Sequence, residues 1–123
     1  MTPAETATAL HRALEAGTHG ADLRRHFTPD AMTVEHPNLI KPNGARSSLD
    51  EMLAASEKGV GLLSSQQYDV HSALVTGDTA ILRLTWTGVL RDGKELTAHI
   101  AQFVETRDGL ISSIETFDCY RPF

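Results

Sequence analysis

Two Asp-Gly pairs near the end of the sequence constrain the fold more than any other feature. They are Asp92-Gly93 and Asp108-Gly109, and three segments of largely alternating residues surround them, at positions 80–87, 96–104 and 111–120. An Asp-Gly pair between two such segments is a strong signal for a hairpin, because both central residues of a type I′ turn adopt positive φ. The sequence therefore predicts an antiparallel meander of three strands joined by two-residue turns.

Two-residue turns would also fix the pairing of residues across the meander. Counting outward from each turn places His99 opposite Trp86 on one side and opposite Asp118 on the other. Paired residues share a face, so one face of the meander is predicted to form an apolar pocket with a polar corner. The side chains expected there are Leu82, Leu84, Trp86, His99, Ala101, Phe103, Ile114, Thr116, Asp118 and Tyr120. A shift of one residue in the strand pairing would move every side chain of a strand to the opposite face.

The opposite face of the meander is predicted to mix charged residues with four apolar side chains. In a monomer these four would form an exposed patch, which proteins in water usually keep small. We therefore expect a homodimer in which two copies pack through this face, with Arg83 of one copy near Glu115 of the other. The four apolar residues are Ile81, Ile100, Val104 and Phe117.

The first two thirds of the chain predict helices and two further strands. Thr2-Pro3 is a helix start and Gly17 a helix stop, while Ser48 and Glu51 have the spacing of a capping box. Gly59 and Gly61 are expected to end the last helix. The predicted elements are helices at 3–16, 21–27 and 49–58 and strands at 31–36 and 66–75.

Alternation along these two strands predicts which side chains face inward. The first strand is expected to turn Val34 and His36 toward the pocket. For the second strand the loop length leaves two sets open, and apolar content favours the first: Tyr68, Val70 and Leu74, or Asp69, His71 and Ala73. Helices that precede an antiparallel sheet indicate an α+β fold. We expect a single domain, residues 1–123, shaped like a cone: the N-terminal helices pack in the concave face of a strongly curved, mainly antiparallel sheet. The loop at 38–45 should border the mouth of the pocket.

Composition narrows the range of partners. The 123 residues carry a formal net charge of -5, and no basic patch is evident that would gather the phosphates of a nucleic acid or an anionic membrane. The single cysteine, Cys119, excludes an internal disulfide and is typical of a reducing cytoplasm. No signal peptide or uninterrupted apolar span is visible. The sequence therefore predicts a cytoplasmic protein whose ligand is a small molecule.

The order of predicted elements and two local segments resemble one known group of proteins. Phe-Thr-Pro-Asp-Ala at 27–31, followed by Val-Glu-His-Pro at 34–37, is similar to the first-strand region of the nuclear transport factor 2-like superfamily, also called SnoaL-like or ketosteroid isomerase-like. The closing residues 117–123 resemble the aromatic tail of many bacterial members. The resemblance spans nearly the whole chain and implies the cone-shaped fold. It implies no single function, because the superfamily includes isomerases, dehydratases, cyclases, epoxide hydrolases and non-catalytic binding proteins.

The resemblance does not extend to the catalytic residues of the ketosteroid isomerases. His36 stands where that family has its catalytic aspartate before a proline, and the two oxyanion donors of the family fall at Leu10 and Ala101. A 3-ketosteroid isomerase mechanism is therefore not expected. Scytalone dehydratase, which works with pocket histidines, an aspartate and tyrosines, is a closer analogy in kind.

The predicted pocket contains groups that transfer protons. Asp118 opposite His99 would fix the imidazole tautomer and leave the other ring nitrogen free to move a proton. His36 would be a second acid–base group, and Tyr120 a hydrogen-bond donor. The alternative is structural, with His99 and Asp118 only satisfying each other in a pocket wall. The predicted substrate-binding residues are Trp86, Leu84, Phe103, Thr116, Ala101, Val34 and Met52.

Two classes of function remain open from the sequence. The first is a cofactor-independent isomerase, dehydratase or cyclase that acts on a small, mostly apolar or aromatic molecule with an oxygen function. The second is a non-catalytic protein that binds such a molecule in the same pocket. A metal site of two histidines and a carboxylate is less favoured, because no short ligand spacing supports it. We expect neither a cofactor nor a metal ion.

Overall fold

A computed structural model describes residues Met1–Phe123 and contains one mixed sheet with helices on its concave side. The strand order is β2-β1-β6-β5-β4-β3, with β1 and β6 parallel and every other pair antiparallel. The elements are α1 (Pro3–Glu15), a 3-10 helix (Gly20–His26), β1 (Phe27–Glu35), β2 (Ala45–Ser48), α2 (Leu49–Leu62), β3 (Leu63–Thr76), β4 (Thr79–Leu90), β5 (Glu95–Arg107) and β6 (Leu110–Tyr120). The predicted α+β class and cone-shaped fold are confirmed. None of the helices combines the length and the apolar character needed to cross a membrane.

Both α-helices begin as the sequence predicts. Thr2 and Glu5 form a capping box at the start of α1, and Ser48 and Glu51 form one at the start of α2. Each box satisfies backbone N–H groups that the first helical turn leaves without partners. The helices bury their apolar side against the concave face of the sheet. The enclosed core is made of residues such as Ala7, Leu10, Leu49, Leu53, Leu82, Leu84, Val104 and Ile111.

Helix α2 runs four residues beyond its predicted end. It continues through Gly59 and Gly61 to Leu62, and neither glycine has a neighbour within 4 Å of where a side chain would stand. A glycine weakens a helix by only about 1 kcal/mol relative to alanine. Contacts at the C-terminal end of the helix can offset this cost. Here the Arg91 guanidinium donates to the carbonyl oxygens of Val60 and Gly61, at 2.9 Å each, and so caps the helix.

The segment before β1 also differs from the prediction. A 3-10 helix, not an α-helix, spans Gly20–His26, and β1 begins at Phe27, four residues early. Pro29 lies in the irregular part of β1, where the pairing with β6 shifts register between Phe27 and Met32. Proline is tolerated there because its missing N–H costs no ladder hydrogen bond. The short strand β2 was not predicted.

The first hairpin of the meander has a three-residue turn instead of the predicted two. Leu90 N–H donates to Lys94 O at 2.8 Å, and Gly93 adopts a φ of 91°. A left-handed glycine at the third loop position is typical of this turn. The extra residue shifts the pairing by one, so that Trp86 lies opposite Ala98 and Thr85 lies opposite His99.

The second hairpin has the predicted two-residue turn but contains a bulge. Arg107 pairs with Leu110 across Asp108-Gly109, and then the register shifts between Glu105 and Thr106. A bulge inserts one residue into one strand, which reverses the faces beyond it. β5 is therefore turned over relative to the prediction, while β4 and β6 keep their predicted faces. Ile100 and Val104 face the core, and Phe103 does not.

Strand β3 forms one edge of the sheet and carries a second bulge. The register shifts between Val70 and Ser72, so Tyr68 and Val70 face the core as predicted but Leu74 lies on the outer face with Ile81. The backbone of Tyr68 at this edge is held by α1. Glu15 Oε2 accepts from its N–H at 2.7 Å, and the guanidinium of Arg12 donates to its carbonyl oxygen at 2.9 Å.

Candidate functional site

The observed register places polar residues on three successive rows of the concave face. Paired residues on neighbouring strands share a face, so each row can be followed from strand to strand. The first row contains Glu35, Thr116 and Gln102; the second contains Asp118, Ile100, Leu84 and Val70; the third contains Tyr120, Ala98, Trp86 and Tyr68. The polar ends of these rows lie together where β1 and β6 meet.

A cavity of 230 Å³ lies between this face and the two helices. The helices supply an apolar wall that includes Leu10, Leu14, Met52 and Leu53. The sheet, His11 of α1 and Ser56 of α2 supply the polar groups. The polar residues that line the cavity are His11, Thr33, Glu35, Ser56, Tyr68, Gln102 and Thr116. Such a lining, mostly apolar with a few polar side chains, is typical of a site for a small organic molecule.

Two carboxyl groups, Glu35 and Asp118, lie together on the concave face, where Glu35 lines the cavity and Asp118 is hydrogen-bonded behind it. Burial, followed by the hydrogen bond and the negative charge of Glu35, raises the pKa of Asp118 from 3.8 to about 7. Asp118 Oδ1 is buried and has no hydrogen-bond partner. Glu35 accepts from the Asn38 amide at 2.9 Å and contacts Lys41 Nζ at 3.3 Å. Asp118 can therefore hold a proton near neutral pH beside a carboxylate with cationic and amide partners.

Three aromatic side chains surround the carboxyl pair. Trp86 and Tyr120 meet edge to face, with ring centroids 6.3 Å apart, and Trp86 Nε1–H donates to Gln66 Oε1 at 3.0 Å. Burial raises the pKa of Tyr120 to about 12, and Asp118 and Glu35 add to the effect. Burial also raises the pKa of Tyr68. Both phenols thus keep their protons and can act only as neutral hydrogen-bonding groups at neutral pH.

Helix α1 contributes one buried histidine to the site. His11 is 2% exposed, stacks on Tyr68 with ring centroids 4.6 Å apart, and places Nε2 at 2.9 Å from Gln102 Oε1. Burial lowers the pKa of His11, although the hydrogen bond to Gln102 opposes this. The imidazole is therefore neutral at physiological pH.

Most predicted site residues on β4 and β6 lie where the sequence placed them. Asp118 and Tyr120 are on the concave face, Trp86 packs against the core, and Leu84 is inside it. Thr116, Val34 and Met52 line the cavity. The loop at 38–45, predicted to border the cavity, contributes no residue to its lining, although Asn38 and Lys41 contact Glu35, which does line it.

The predicted pair of His99 and Asp118 is wrong, because β5 is turned over. His99 lies opposite Cys119 on the outer face, where it contacts Thr85 Oγ1 at 3.4 Å and the Arg121 guanidinium at 3.3 Å. Ala101 and Phe103 lie on the same outer face and cannot bind a ligand in the cavity. No group of three His, Cys, Asp or Glu side chains converges to hold a metal ion.

The predicted inward orientation of His36 is also wrong. Its Nε2 lies 2.7 Å from Glu115 Oε2, and its ring stacks on Phe117 with centroids 4.2 Å apart. Glu115 and Phe117 lie on β6, on the face opposite to that of Thr116 and Asp118. The neighbour of His36, Glu35, faces the cavity instead, because side chains alternate along β1.

Sequence reasoning missed Glu35, Gln102, His11 and Tyr68 as members of one site. Glu35 is next to His36 in the sequence, and Gln102 is next to Ala101, and both neighbours were predicted site residues. An error of one residue in the facing of a strand therefore excluded Glu35 and Gln102. A signal for His11 was present in the helical pattern. It is four residues from Ala7 and three from Leu14, which places it within the apolar side of α1.

Comparison with known proteins identifies relatives of this arrangement. The family model for the SnoaL-like domain matches residues 7–114. No curated protein matches the chain. Similar solved structures include a hypothetical protein from Catenulispora acidiphila with a ketosteroid isomerase-like fold, in complex with trimethylamine (21% identity, TM-score 0.76, 94% of this chain and 85% of that one). A second is AclR from Streptomyces galilaeus, a proposed hydroxylase (17% identity, TM-score 0.75, 94% of this chain and 87% of that one).

A third similar structure is IdmH from Streptomyces antibioticus, a proposed polyketide cyclase, at 20% identity and a TM-score of 0.76 over 96% of this chain and 92% of that one. Identities this low show that the fold is shared and no more. The family match, by contrast, covers most of the chain, from α1 to β6. This chain therefore belongs to the SnoaL-like family, within the superfamily of nuclear transport factor 2-like folds.

Proposed function

We propose that this protein is a cofactor-independent acid–base enzyme, an isomerase, cyclase or dehydratase, and that Asp118 is its proton-transferring group. The observation that carries the proposal is the pair of Asp118 and Glu35, in which Glu35 lines the apolar cavity and Asp118 lies directly beside it. Asp118 Oδ1 is buried without a hydrogen-bond partner, so its hydrogen bonding is left for a ligand to complete. The role first predicted for His99 passes to Asp118 and Glu35.

The electrostatics of the pair suit proton transfer at neutral pH. A general acid or base works best when its pKa lies near the working pH, and Asp118 has a pKa of about 7. Two carboxyl groups whose environments differ commonly divide the acid and base roles between them. Glu35, which has Lys41 and Asn38 as partners, is the anionic member. Tyr120 is a neutral neighbour that can donate a hydrogen bond to a ligand oxygen.

The cavity favours a small and mostly apolar substrate. Its volume of 230 Å³ is below the roughly 300–1,000 Å³ of typical drug-sized sites. Leucine and methionine side chains from both helices bury the hydrocarbon part, while polar groups occur only on the sheet side and at His11 and Ser56. A substrate with one or two oxygen functions on a ring-sized hydrocarbon matches this distribution. The proposed chemistry of IdmH and AclR, a polyketide cyclase and a hydroxylase, supports substrates of this kind.

The alternative is a binding protein that holds a small molecule without converting it. The relative from Catenulispora acidiphila, in complex with trimethylamine, shows that this fold can hold a very small ligand. A carboxylate pair beside Trp86, Tyr120 and Tyr68 would also suit a small organic cation. The two functions differ in one observable, since only the enzyme accelerates the exchange of a substrate proton with solvent.

Proton exchange tests the proposal without knowledge of the natural substrate. A small ketone with acidic α-protons, 2-tetralone, is incubated with the protein in D₂O, and loss of the α-proton signal is followed by NMR. We expect exchange well above the buffer rate, with a pH–rate profile that has an apparent pKa near 7. Binding of 2-tetralone with exchange no faster than in buffer would favour the binding protein instead.

We also propose that the protein is a homodimer through the outer face of the sheet. The corrected register replaces Ile100 and Val104 in the predicted patch with Ala101 and Phe103, and Ile81 and Phe117 stay in it. Phe117 is 44% exposed, which is unusual for a phenylalanine without a partner surface. Sedimentation at micromolar concentration should give twice the 13.4 kDa chain mass, and Phe117→Asp should lower it. A monomer mass for the unaltered chain would contradict this proposal.

A further inference from the structure

The cavity contains a polar pair that the acid–base proposal does not use. His11 Nε2 lies 2.9 Å from Gln102 Oε1, and both residues line the cavity. The His11 ring is held on its other side by the parallel ring of Tyr68, at an interplanar angle of 5°. The backbone of Tyr68 is itself fixed by Arg12 and Glu15. The position of this pair is therefore set by α1 and β3 together.

The surroundings of His11 determine which partner donates the hydrogen bond. The buried imidazole is neutral and carries one ring proton. Its Nδ1 is fully buried and has no hydrogen-bond partner. A buried N–H group without an acceptor is rarer in proteins than an acceptor without a donor. The proton therefore lies on Nε2, and His11 donates to the side-chain oxygen of Gln102.

This contact leaves Gln102 with a free hydrogen-bond donor. Its oxygen is occupied by His11, while its amide nitrogen has no protein partner and is not enclosed by protein atoms. An amide nitrogen carries two N–H donors and cannot accept. The free group at this point of the cavity thus selects a ligand atom that accepts hydrogen bonds.

The register places this donor within reach of the same ligand as the carboxyl pair. Gln102 lies directly opposite Thr116, which in turn lies opposite Glu35. Asp118 is two residues beyond Thr116 on the same face, so Gln102 and Asp118 are diagonal neighbours, about 7–8 Å apart at their Cα atoms. Side chains of this length can contact two adjacent atoms of one small ligand.

We propose that Gln102 binds the carbonyl oxygen of the substrate, and that His11 is a positioning residue that keeps the amide N–H₂ directed into the cavity. The inference rests on the proposed acid–base function and names its substrate class, a small ketone or related carbonyl compound. A carbonyl oxygen has two lone pairs and no hydrogen, and so matches a group that only donates.

The proton-transfer step then balances as follows. Asp118, in its ionised form, takes the α-proton, and the electrons of the broken C–H bond form a C=C bond. The π electrons of the C=O bond move to the oxygen, giving an enolate whose negative charge is stabilised by the N–H donors of Gln102. Return of the proton to carbon restores the carbonyl group, so no further reactant is required.

The test compares two ligands that differ only at oxygen, 2-tetralone and 2-tetralol. Their dissociation constants are measured for the unaltered protein, Gln102→Leu, and Gln67→Leu as a matched change at an exposed position. We expect Gln102→Leu to weaken ketone binding about 3- to 10-fold, as loss of one hydrogen bond predicts, and to change alcohol binding less than about 2-fold. The infrared C=O stretch of the bound ketone should be lower in frequency with the unaltered protein than with Gln102→Leu.

The role of His11 needs a readout that a structural role would not change. His11→Phe keeps the stacking on Tyr68 but removes the hydrogen bond, so the C=O stretch should move part of the way toward its value in Gln102→Leu. An unchanged C=O stretch in a folded His11→Phe would overturn the positioning role. Equal ketone affinity in the unaltered protein and Gln102→Leu would overturn the role of Gln102.

The experiment separates this inference from the acid–base proposal. Asp118→Asn is expected to abolish exchange of the α-proton while it leaves the preference for ketone over alcohol and the C=O stretch intact. If exchange is absent in the unaltered protein but the ketone preference depends on Gln102, only the acid–base proposal fails. If exchange occurs and Gln102→Leu binds the ketone normally, only the present inference fails.

Discussion

The two faces of the sheet carry titratable side chains in opposite surroundings. On the concave face, Asp118 and Glu35 are hydrogen-bonded to each other, and burial together with Glu35 raises the pKa of Asp118 to about 7. On the outer face, His99 contacts Thr85 and Arg121, and His36 lies against Glu115 and is about one third exposed. Histidine is the residue usually expected to move protons near neutral pH. Here the half-buried Asp118 is the group whose pKa lies near neutrality, because burial and Glu35 raise it.

The contrast also separates stability from function. The concave face is lined by fully buried side chains such as Leu82 and Val104, each 0% exposed, and it holds the cavity within them. The outer face leaves Leu74 and Phe117 in contact with solvent in the single chain. Changes on the concave face should therefore affect both catalysis and folding, and changes on the outer face should affect neither strongly except through dimer formation.

The largest expected effect is the loss of activity on removal of the concave carboxyl group. Asp118→Asn should lower the rate of α-proton exchange by about 10²- to 10⁴-fold, which is the usual contribution of a general acid or base. His99→Gln, a change of similar size on the outer face, should leave the rate within about 2-fold. The check is the NMR exchange assay with both variants at the same protein concentration. Comparable losses in the two variants would mean that the faces do not differ in the way proposed.

The next effect concerns folding and uses the same substitution on each face. Leu82→Ala should lower the free energy of unfolding by about 2–5 kcal/mol, because it leaves a cavity in the core. Leu74→Ala, at a side chain that is 67% exposed, should change it by less than about 0.5 kcal/mol. Urea denaturation of both variants measures the difference. A small loss for Leu82→Ala would show that the concave face is less tightly packed than the structure indicates.

A smaller effect on stability is expected from substitution of Gly88, which lies against the ring of Trp86. A side-chain carbon at Gly88 would collide with the indole ring of Trp86, whereas one at Gly61 would meet nothing within 4 Å. Gly88→Ala should therefore cost about 1–3 kcal/mol of stability through the displaced ring. Trp86 is the only tryptophan, so its fluorescence should also shift. Gly61→Ala in α2 is the matched control, and it should be neutral or slightly stabilising.

A further effect is a dependence of stability on pH to which the concave carboxyl group of Asp118 contributes. The pKa of Asp118 is raised in the folded protein, from 3.8 to about 7, so its protonated form stabilises the fold below pH 4 and this contribution is lost as the pH rises through 7. Glu35, Lys41, Tyr120 and Tyr68 are the other titratable groups around it. The stability of Asp118→Asn relative to the unaltered protein should rise between pH 4 and pH 7 and then level off. Urea denaturation at several pH values measures it, and a flat difference would contradict a raised pKa.

Local signals in the sequence predicted the helices and the fold class correctly, and the pairing of strands set the limit. The capping boxes at Thr2 and Ser48 depend on residues only three positions apart, so they can be recognised without knowledge of the rest of the chain. The Asp-Gly pairs predicted both hairpins for the same reason. The side chains that face the cavity, in contrast, depend on register, and a shift of one residue reverses a strand.

Two such shifts in the meander explain the error in β5. The three-residue turn that ends at Gly93 moves β5 by one residue relative to β4, and the bulge, which leaves Ser112 of β6 unpaired, moves it by one relative to β6. The two shifts cancel between β4 and β6, which is why Trp86 and Asp118 were placed correctly and His99 was not. The local sequence does not distinguish a two-residue turn from a three-residue turn or from a bulge. The packing of the whole sheet on α1 decides between them.

The central claim is that Asp118 holds a proton near neutral pH beside Glu35, which lines the cavity. The direct measurement is a pH titration of the side-chain carboxyl groups, labelled with ¹³C in aspartate and glutamate and followed by NMR, with Asp118→Asn to assign the signal. One aspartate resonance, absent from the variant, should titrate with a midpoint near 7. If the Asp118 resonance instead titrates near 4, as an ordinary exposed aspartate does, the carboxyl group is ionised at neutral pH and the proposed acid–base role is contradicted.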